Sequence, residues 1–343
     1  MRNHRRKISL GATALAALLA VACSHDTAPT AAASSAAPAT ASTPTPLPAQ
    51  QYSAAQITGS DAALPASQTG GFDGAKAYDY TAKLVSFGPR PAGSDAIHQT
   101  QDYILAQLKS FGCAVETDDF HSPTPAGDIA MKNITVKIPG DGQGVILVIG
   151  HYDTKKLDNF VGADDGGSSA GLLLELAREM CDAKKQQNAV WISFLDGEEA
   201  VVDWNSNNDN TYGSREMAAR LANSGDLKRI KAVLLADMIG PKSLKIQRDS
   251  NSTPWLVSLV WKVAARLGYQ NEFVSSDSGV EDDQLPFVHR GVPAIDITDF
   301  PHYEEEGYWH TPQDTMDKLS PRSIGIVGHV FVETIAELQK KFH

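Results

Sequence analysis

Acidic and imidazole side chains recur just past apolar runs in this 343-residue chain: His151-Tyr152-Asp153, Ala163-Asp164-Asp165, Asp196-Gly197-Glu198-Glu199, Ala236-Asp237 and Trp309-His310-Thr311. Carboxylates gathered at the mouths of buried strands repel one another and lose hydration, so a fold keeps them together only where a cation or hydrogen bonds offset that cost. Mixed nitrogen and oxygen donors suit Zn2+, which in a catalytic site takes three protein ligands and keeps one position open. Together the segments read as a zinc site.

The elements that must position these groups alternate in type. Continuous apolar runs of strand length at Val145 to Ile149, Ala189 to Leu195, Ala232 to Ala236 and Ala294 to Ile297 suit strands covered on both faces. Asp95 to Phe111, Ser168 to Met180, Tyr212 to Leu221, Pro254 to Leu267 and Pro321 to Lys341 read as helices between or after them. The pattern predicts an α/β three-layer sandwich, a mostly parallel, twisted mixed sheet flanked by helices. In such sheets the site forms beyond the carboxyl ends of the strands, where His151, Glu198, Glu199 and Asp237 fall.

One folded domain is expected over residues 67–343. Arg2, Arg5, Arg6 and Lys7 precede the apolar run Gly11 to Ala22, so residues 1–22 read as an export signal. Small residues before Cys23 resemble a bacterial lipoprotein signal in which Cys23 is lipidated; an ordinary secretory signal is the other reading. Residues 23–66, rich in Ala, Ser, Thr and Pro, read as a disordered tether that leaves the domain at the cell envelope, periplasmic or secreted. Without residues 1–22 the net charge moves from −11 to −15, 26 Lys+Arg against 41 Asp+Glu, which argues against nucleic acid as a partner. Cys113 and Cys181 permit one disulfide outside the cytoplasm or two free thiols. Nothing in the sequence points to a partner interface, and a monomer is expected.

The segments Val161-Gly162-Ala163-Asp164-Asp165, Phe194 to Ala200, Trp204, Tyr212-Gly213-Ser214-Arg215, Glu281 to Phe287, Arg290 to Pro293 and Trp309-His310-Thr311 resemble glutaminyl cyclase of the animal type. That family, of glutaminyl-peptide cyclotransferases, shares its fold with zinc aminopeptidases, and the likeness runs from about residue 78 to the C-terminus. The resemblance implies an acyltransferase that closes N-terminal glutaminyl residues of peptides or proteins to pyroglutamate and releases ammonia. It implies one zinc held by Asp165, Glu199 and His310, a proton shuttle at Glu198, and an acidic network through Asp237 and Asp282. It also sets Trp204, Trp309 and Glu281 around the substrate pocket. The chain departs from the animal pattern at Asp296, where that family has a His, and lacks its disulfide flanking the His151 segment.

The chemistry accounts for those residue types. An N-terminal glutamine already carries both its amine and its carboxamide, so holding a bent conformer supplies effective molarity. A Lewis acid polarises the γ-carbonyl, and a carboxylate of raised pKa moves the amine proton to the departing ammonia. Two alternatives stay open. Residue types do not separate one zinc from two, since His151 and Asp237 with Asp165 match the second site of two-metal aminopeptidases, and a secreted zinc aminopeptidase is the alternative function. Gly167-Ser168-Ser169-Ala170-Gly171 satisfies a serine-hydrolase elbow, but a charged loop separates it from any strand, and close packing at a helix start is expected instead.

Overall fold

Four strands made from the apolar runs, β3 (Val145–His151), β4 (Ala189–Leu195), β5 (Ile230–Asp237) and β8 (Ala294–Thr298), lie parallel in the order β4-β3-β5-β8 and are almost wholly buried. The computed structural model describes residues 52–181, 186–206 and 208–342. A long hairpin, β1 (Val115–Thr124) and β2 (Gly127–Ile138), adds two antiparallel strands beside β4, so the six-stranded sheet is mixed and mostly parallel. Two further strands, β6 (Ile246–Asp249) and β7 (Phe273–Ser278), pair separately.

Successive side chains of a strand face opposite sides of the sheet. Ile146 and Val148 of β3 accordingly join the larger core, while Val145, Leu147 and Ile149 join the smaller one. The larger core is covered by α1 (Gly74–Val85), α2 (Asp95–Ser110), α3 (Gly167–Cys181), α5 (Pro254–Leu267) and α8 (Pro321–Lys341). The smaller is covered by α4 (Tyr212–Ser224) and the short α6 (Leu285–Val288). A last short helix, α7 (Phe300–Glu305), follows β8. The expected helix over 254–267 and the one over 321–341 match the structure end to end.

One expectation needs correction, and one alternative left open is decided. Packing on the domain begins before residue 67: Tyr52 and Ile57 pack on the larger core, Ala54 is buried, the Ala54 amide donates to Asp79 at 2.7 Å, and Ser320 Oγ donates to the Asp61 carbonyl at 3.0 Å. Three 3-10 turns over residues 54–68 rest on these few contacts, which a polar, small-residue stretch does not advertise. Cys113 and Cys181 form a disulfide, because the entry to β1 and the end of α3 come side by side, with Cα atoms 5.2 Å apart. The export signal, Cys23 and the tether as far as residue 51 lie outside the described residues. Among the described residues no helix is long and apolar enough to cross a membrane.

Candidate metal centre and active site

Sheet register fixes the innermost groups. His151 ends β3 opposite Leu195, Asp237 ends β5 opposite Thr298, and Asp296 on β8 lies opposite Leu235. His151 Nε2 is 3.0 Å from Asp237 Oδ1 and 3.3 Å from Asp165 Oδ1, and its Nδ1 is 3.5 Å from Asp153. On the other side of Asp165, His310 Nε2 is 3.3 Å from Asp165 Oδ2 and 3.2 Å from Glu199 Oε1. Asp165 is thus shared by two triads, and within each the candidate donor atoms lie within 4.8 Å of one another.

Loops deliver the remaining groups, each through its own hydrogen bonds. Asp314 accepts the amides of Asp164 at 2.8 Å and Asp165 at 3.1 Å, and its carboxylate is held in turn by the Tyr303 hydroxyl at 2.8 Å. Asp153 accepts the amides of Glu198 at 3.2 Å and Glu199 at 3.4 Å. Arg90, fully buried, donates to the carbonyls of Tyr152, Val161 and Gly162 and so ties the Asp165 loop to the end of β3. Gly166 has a φ of +81°, and a Cβ there would strike the Asp153 carbonyl, so the turn into α3 admits glycine alone. His310 has a φ of +51°, an uncommon backbone for a residue with a Cβ, and its ring lies stacked on Trp309 at 3.9 Å with Phe160 against its edge at 5.7 Å.

A cavity of about 310 Å3 opens beside these groups. Asp165, Glu198, Glu199, Asp237 and His310 line it, opposite Trp204, Trp309, Glu281 and Asp282. All nine residues singled out for metal, catalytic or substrate roles therefore line one cavity. Phe300, which meets the edge of Trp309 at 4.9 Å, and Val280 were not anticipated. The serine-elbow segment lies instead in the first turn of α3, where Ser169 is buried and a Cβ on Gly171 would collide with Thr81.

The electrostatics follow from burial of like charges. Desolvation, reinforced by Asp282 and Glu199 and partly offset by His151, pushes the Glu198 carboxyl well above the usual range. Burial and then Asp237 and Asp283 do the same to Asp282, and burial with Asp282 and Asp249 raises Asp296. Asp165 goes the other way: burial would raise it, but the two imidazoles beside it hold it below the usual range. Burial would depress His310, yet Asp165 and Glu199 outweigh it and lift the ring to about 9.

The outer triad fits a metal ion. Bonds of about 2.0–2.1 Å in a tetrahedral shell separate donors by about 3.3 Å, which the His310 separations match. Asp165 Oδ2 is buried and accepts no hydrogen bond, as a ligand oxygen would.

A model of peptidase family M28 matches residues 133–335. The mouse glutaminyl-peptide cyclotransferase-like protein is 33% identical over 281 residues, covering 72% of each chain. The crystal structure of an Acidobacteriales bacterium glutaminyl cyclase superposes with a TM-score of 0.74 at 38% identity, over 83% of this chain and 99% of that one. A Zn-dependent exopeptidase from Parabacteroides distasonis follows the same fold with a TM-score of 0.69 at 27% identity, over 77% and 98%. With a shared aspartate between two donor triads and a Trp-walled cavity in front of them, the chain belongs to peptidase family M28 and, within it, to the glutaminyl cyclases.

Proposed function

We propose that this enzyme cyclises N-terminal glutaminyl residues of peptides or proteins to pyroglutamate, releasing ammonia, with one zinc held by Asp165, Glu199 and His310. The observation that carries the reading is the convergence of those three donors and an unligated Glu198 on one aromatic-walled cavity of about 310 Å3. Zinc, when bound, supplies a Lewis acid for the γ-carbonyl of the substrate.

The chain's own residues do the rest. Trp204, Trp309 and Phe300 offer flat apolar faces that hold the glutaminyl side chain bent toward its own amine and exclude water. Glu198 accepts no hydrogen bond from a side chain among the described residues, so its carboxylate is available to the substrate amine. As the amine nitrogen bonds to the carboxamide carbon, Cδ, of the glutamine side chain, Glu198 takes its proton and passes it to the amide nitrogen, whose bond to that carbon breaks to release ammonia. Burial, then Asp282 and Glu199, keep the Glu198 carboxyl high enough for both transfers, while Asp237 acts on Asp282, and Glu281 lines the rim that meets the incoming ammonium.

One ion rather than two is favoured by the contrast between the triads. His151 does not line the cavity, whereas His310 does, and the Asp165 oxygen without a hydrogen-bond partner, Oδ2, is the one that faces His310. Metal analysis of the purified domain tests this, with one zinc per chain expected and two overturning it. Incubation with Gln-Ala and Leu-Ala tests the activity. Ammonia from Gln-Ala with Leu-Ala left intact is expected; free leucine without ammonia would make the enzyme an aminopeptidase. The Cys113–Cys181 disulfide supports an oxidising compartment, in line with an export signal over 1–22, an anchor at Cys23 and a monomer working at the cell envelope. Loss of membrane association in Cys23→Ser would test the anchor.

A further inference from the structure

A second cavity, of about 680 Å3, adjoins the catalytic one, and Trp204, Asn205, Glu281 and Asp282 line both. Its far wall carries charge of the opposite sign. Arg215 and Arg290 line only this second cavity, beside His289. In a chain of net charge −11, neither arginine forms an ion pair with a carboxylate among the described residues. Arg215 is braced by the carbonyls of Asn208 and Asn210, at 2.8–3.1 Å, and by the Tyr212 ring beneath it at 4.8 Å. Arg290 is exposed and held at one nitrogen by the Pro286 carbonyl at 2.8 Å. Arg290 thus keeps its Nε–Nη2 edge for a carboxylate, which guanidinium groups bind through paired charge-assisted hydrogen bonds, and Arg215 keeps its Nη1 donors.

We propose that this cavity is a binding subsite for the peptide downstream of the N-terminal glutamine, and that it selects an acidic side chain there. The proposal rests on the cyclase reading above. The polarity runs in the required direction: Glu281 stands on the shared wall where the substrate's amino end enters, and the arginines stand beyond it. An extended chain advances up to about 3.5 Å per residue, so a residue a few places after the glutamine reaches the far wall. The exposed side chains of Asn205 and Asn208 on the same surface can pair with the backbone between.

The test walks a single Glu or Lys through positions two to five of amidated Gln-Ala-rich peptides, so that no terminal carboxylate intervenes, and follows ammonia release. At one position the Glu peptide should exceed its Lys counterpart about fivefold in kcat/KM, as an exposed charge pair gives. That preference should shrink at high salt, fall in Arg290→Gln and reverse in Arg290→Glu. Equal rates for Glu and Lys at every position would overturn the subsite while leaving the cyclase reading intact. A preference untouched by Arg290→Glu would do the same. No ammonia from any peptide would overturn the cyclase reading and the subsite with it.

Discussion

The inner and outer layers of the site are built by different means. His151 and Asp237 end their strands and Asp296 lies mid-strand; they are 1%, 4% and 0% exposed, and take their positions from the register of β3, β5 and β8. Glu199, Trp204, His310 and Trp309 come from loops, and their positions depend on particular hydrogen bonds and ring contacts. The sheet therefore sets the field in which the carboxylates titrate, and the loops set what the site can bind. Damage to the outer layer should remove metal or substrate; damage to the inner layer should leave both in place.

The largest expected effect comes from breaking the outer layer at its metal. His310→Ala should bring zinc content close to zero and ammonia release below detection, while circular dichroism stays that of the parent chain, since the ring is not part of either core. Full zinc occupancy in that variant would remove His310 from the ligand set. Glu198→Gln sharpens the contrast by altering proton transfer alone. It should retain one zinc and lose turnover by about 10²–10⁴-fold, the usual contribution of a positioned acid-base group. Full activity would exclude Glu198 from the mechanism.

The same division governs how much of the molecule the sequence discloses. Strand-end groups are legible because each follows a run of apolar residues, and the runs over 145–149, 189–195, 232–236 and 294–297 all became strands of the sheet. The β1–β2 hairpin was not legible: β1 is an edge strand whose residues alternate between exposed and half-buried, so it carries no apolar run. The Cys113–Cys181 pairing, across 68 residues, depends on where α3 ends against β1, which is a property of topology. Arg90 and Asp314 escaped notice, and Asp153 was singled out without a role, for a different reason. Their partners are backbone amides and carbonyls, which look the same at every position of a sequence.

Asp314 lies between the layers, bracing Asp165, the proposed metal ligand, without reaching the cavity. Burial, with Asp165 nearby, raises its carboxyl to about 7. Asp314→Asn keeps the volume but offers one acceptor oxygen where two amides and the Tyr303 hydroxyl need serving. Zinc affinity should fall about 10–100-fold, as for other groups that orient a ligand, with turnover of the zinc-saturated enzyme reduced less. Unchanged zinc affinity would show that the loop holds Asp165 without this brace.

The smallest effect tests whether the outer layer's aromatic wall depends on one buried carboxylate. Asp209 accepts the amides of Val201 at 3.1 Å, Val202 at 2.7 Å and Asp203 at 2.9 Å, and the Tyr212 hydroxyl at 2.6 Å, although it is only 1% exposed. These bonds fold the turn that presents Trp204, whose carbonyl is held in turn by Asn210 at 2.8 Å. Asp209→Asn places an amide NH2 where two of the donors point, so their bonds are lost and replaced by donor-donor contact. The turn should loosen while the strand ends stay fixed. A wall that is present part of the time weakens binding in proportion, so KM for Gln-Ala should rise about threefold to tenfold, the equivalent of about 1 kcal/mol, with kcat and zinc content little changed. Trp204 emission should shift toward that of a solvated indole, and cleavage by protease within 200–210 should quicken. A fall in kcat with KM unchanged would place Asp209 in the chemistry of the inner layer and erase the distinction between the two.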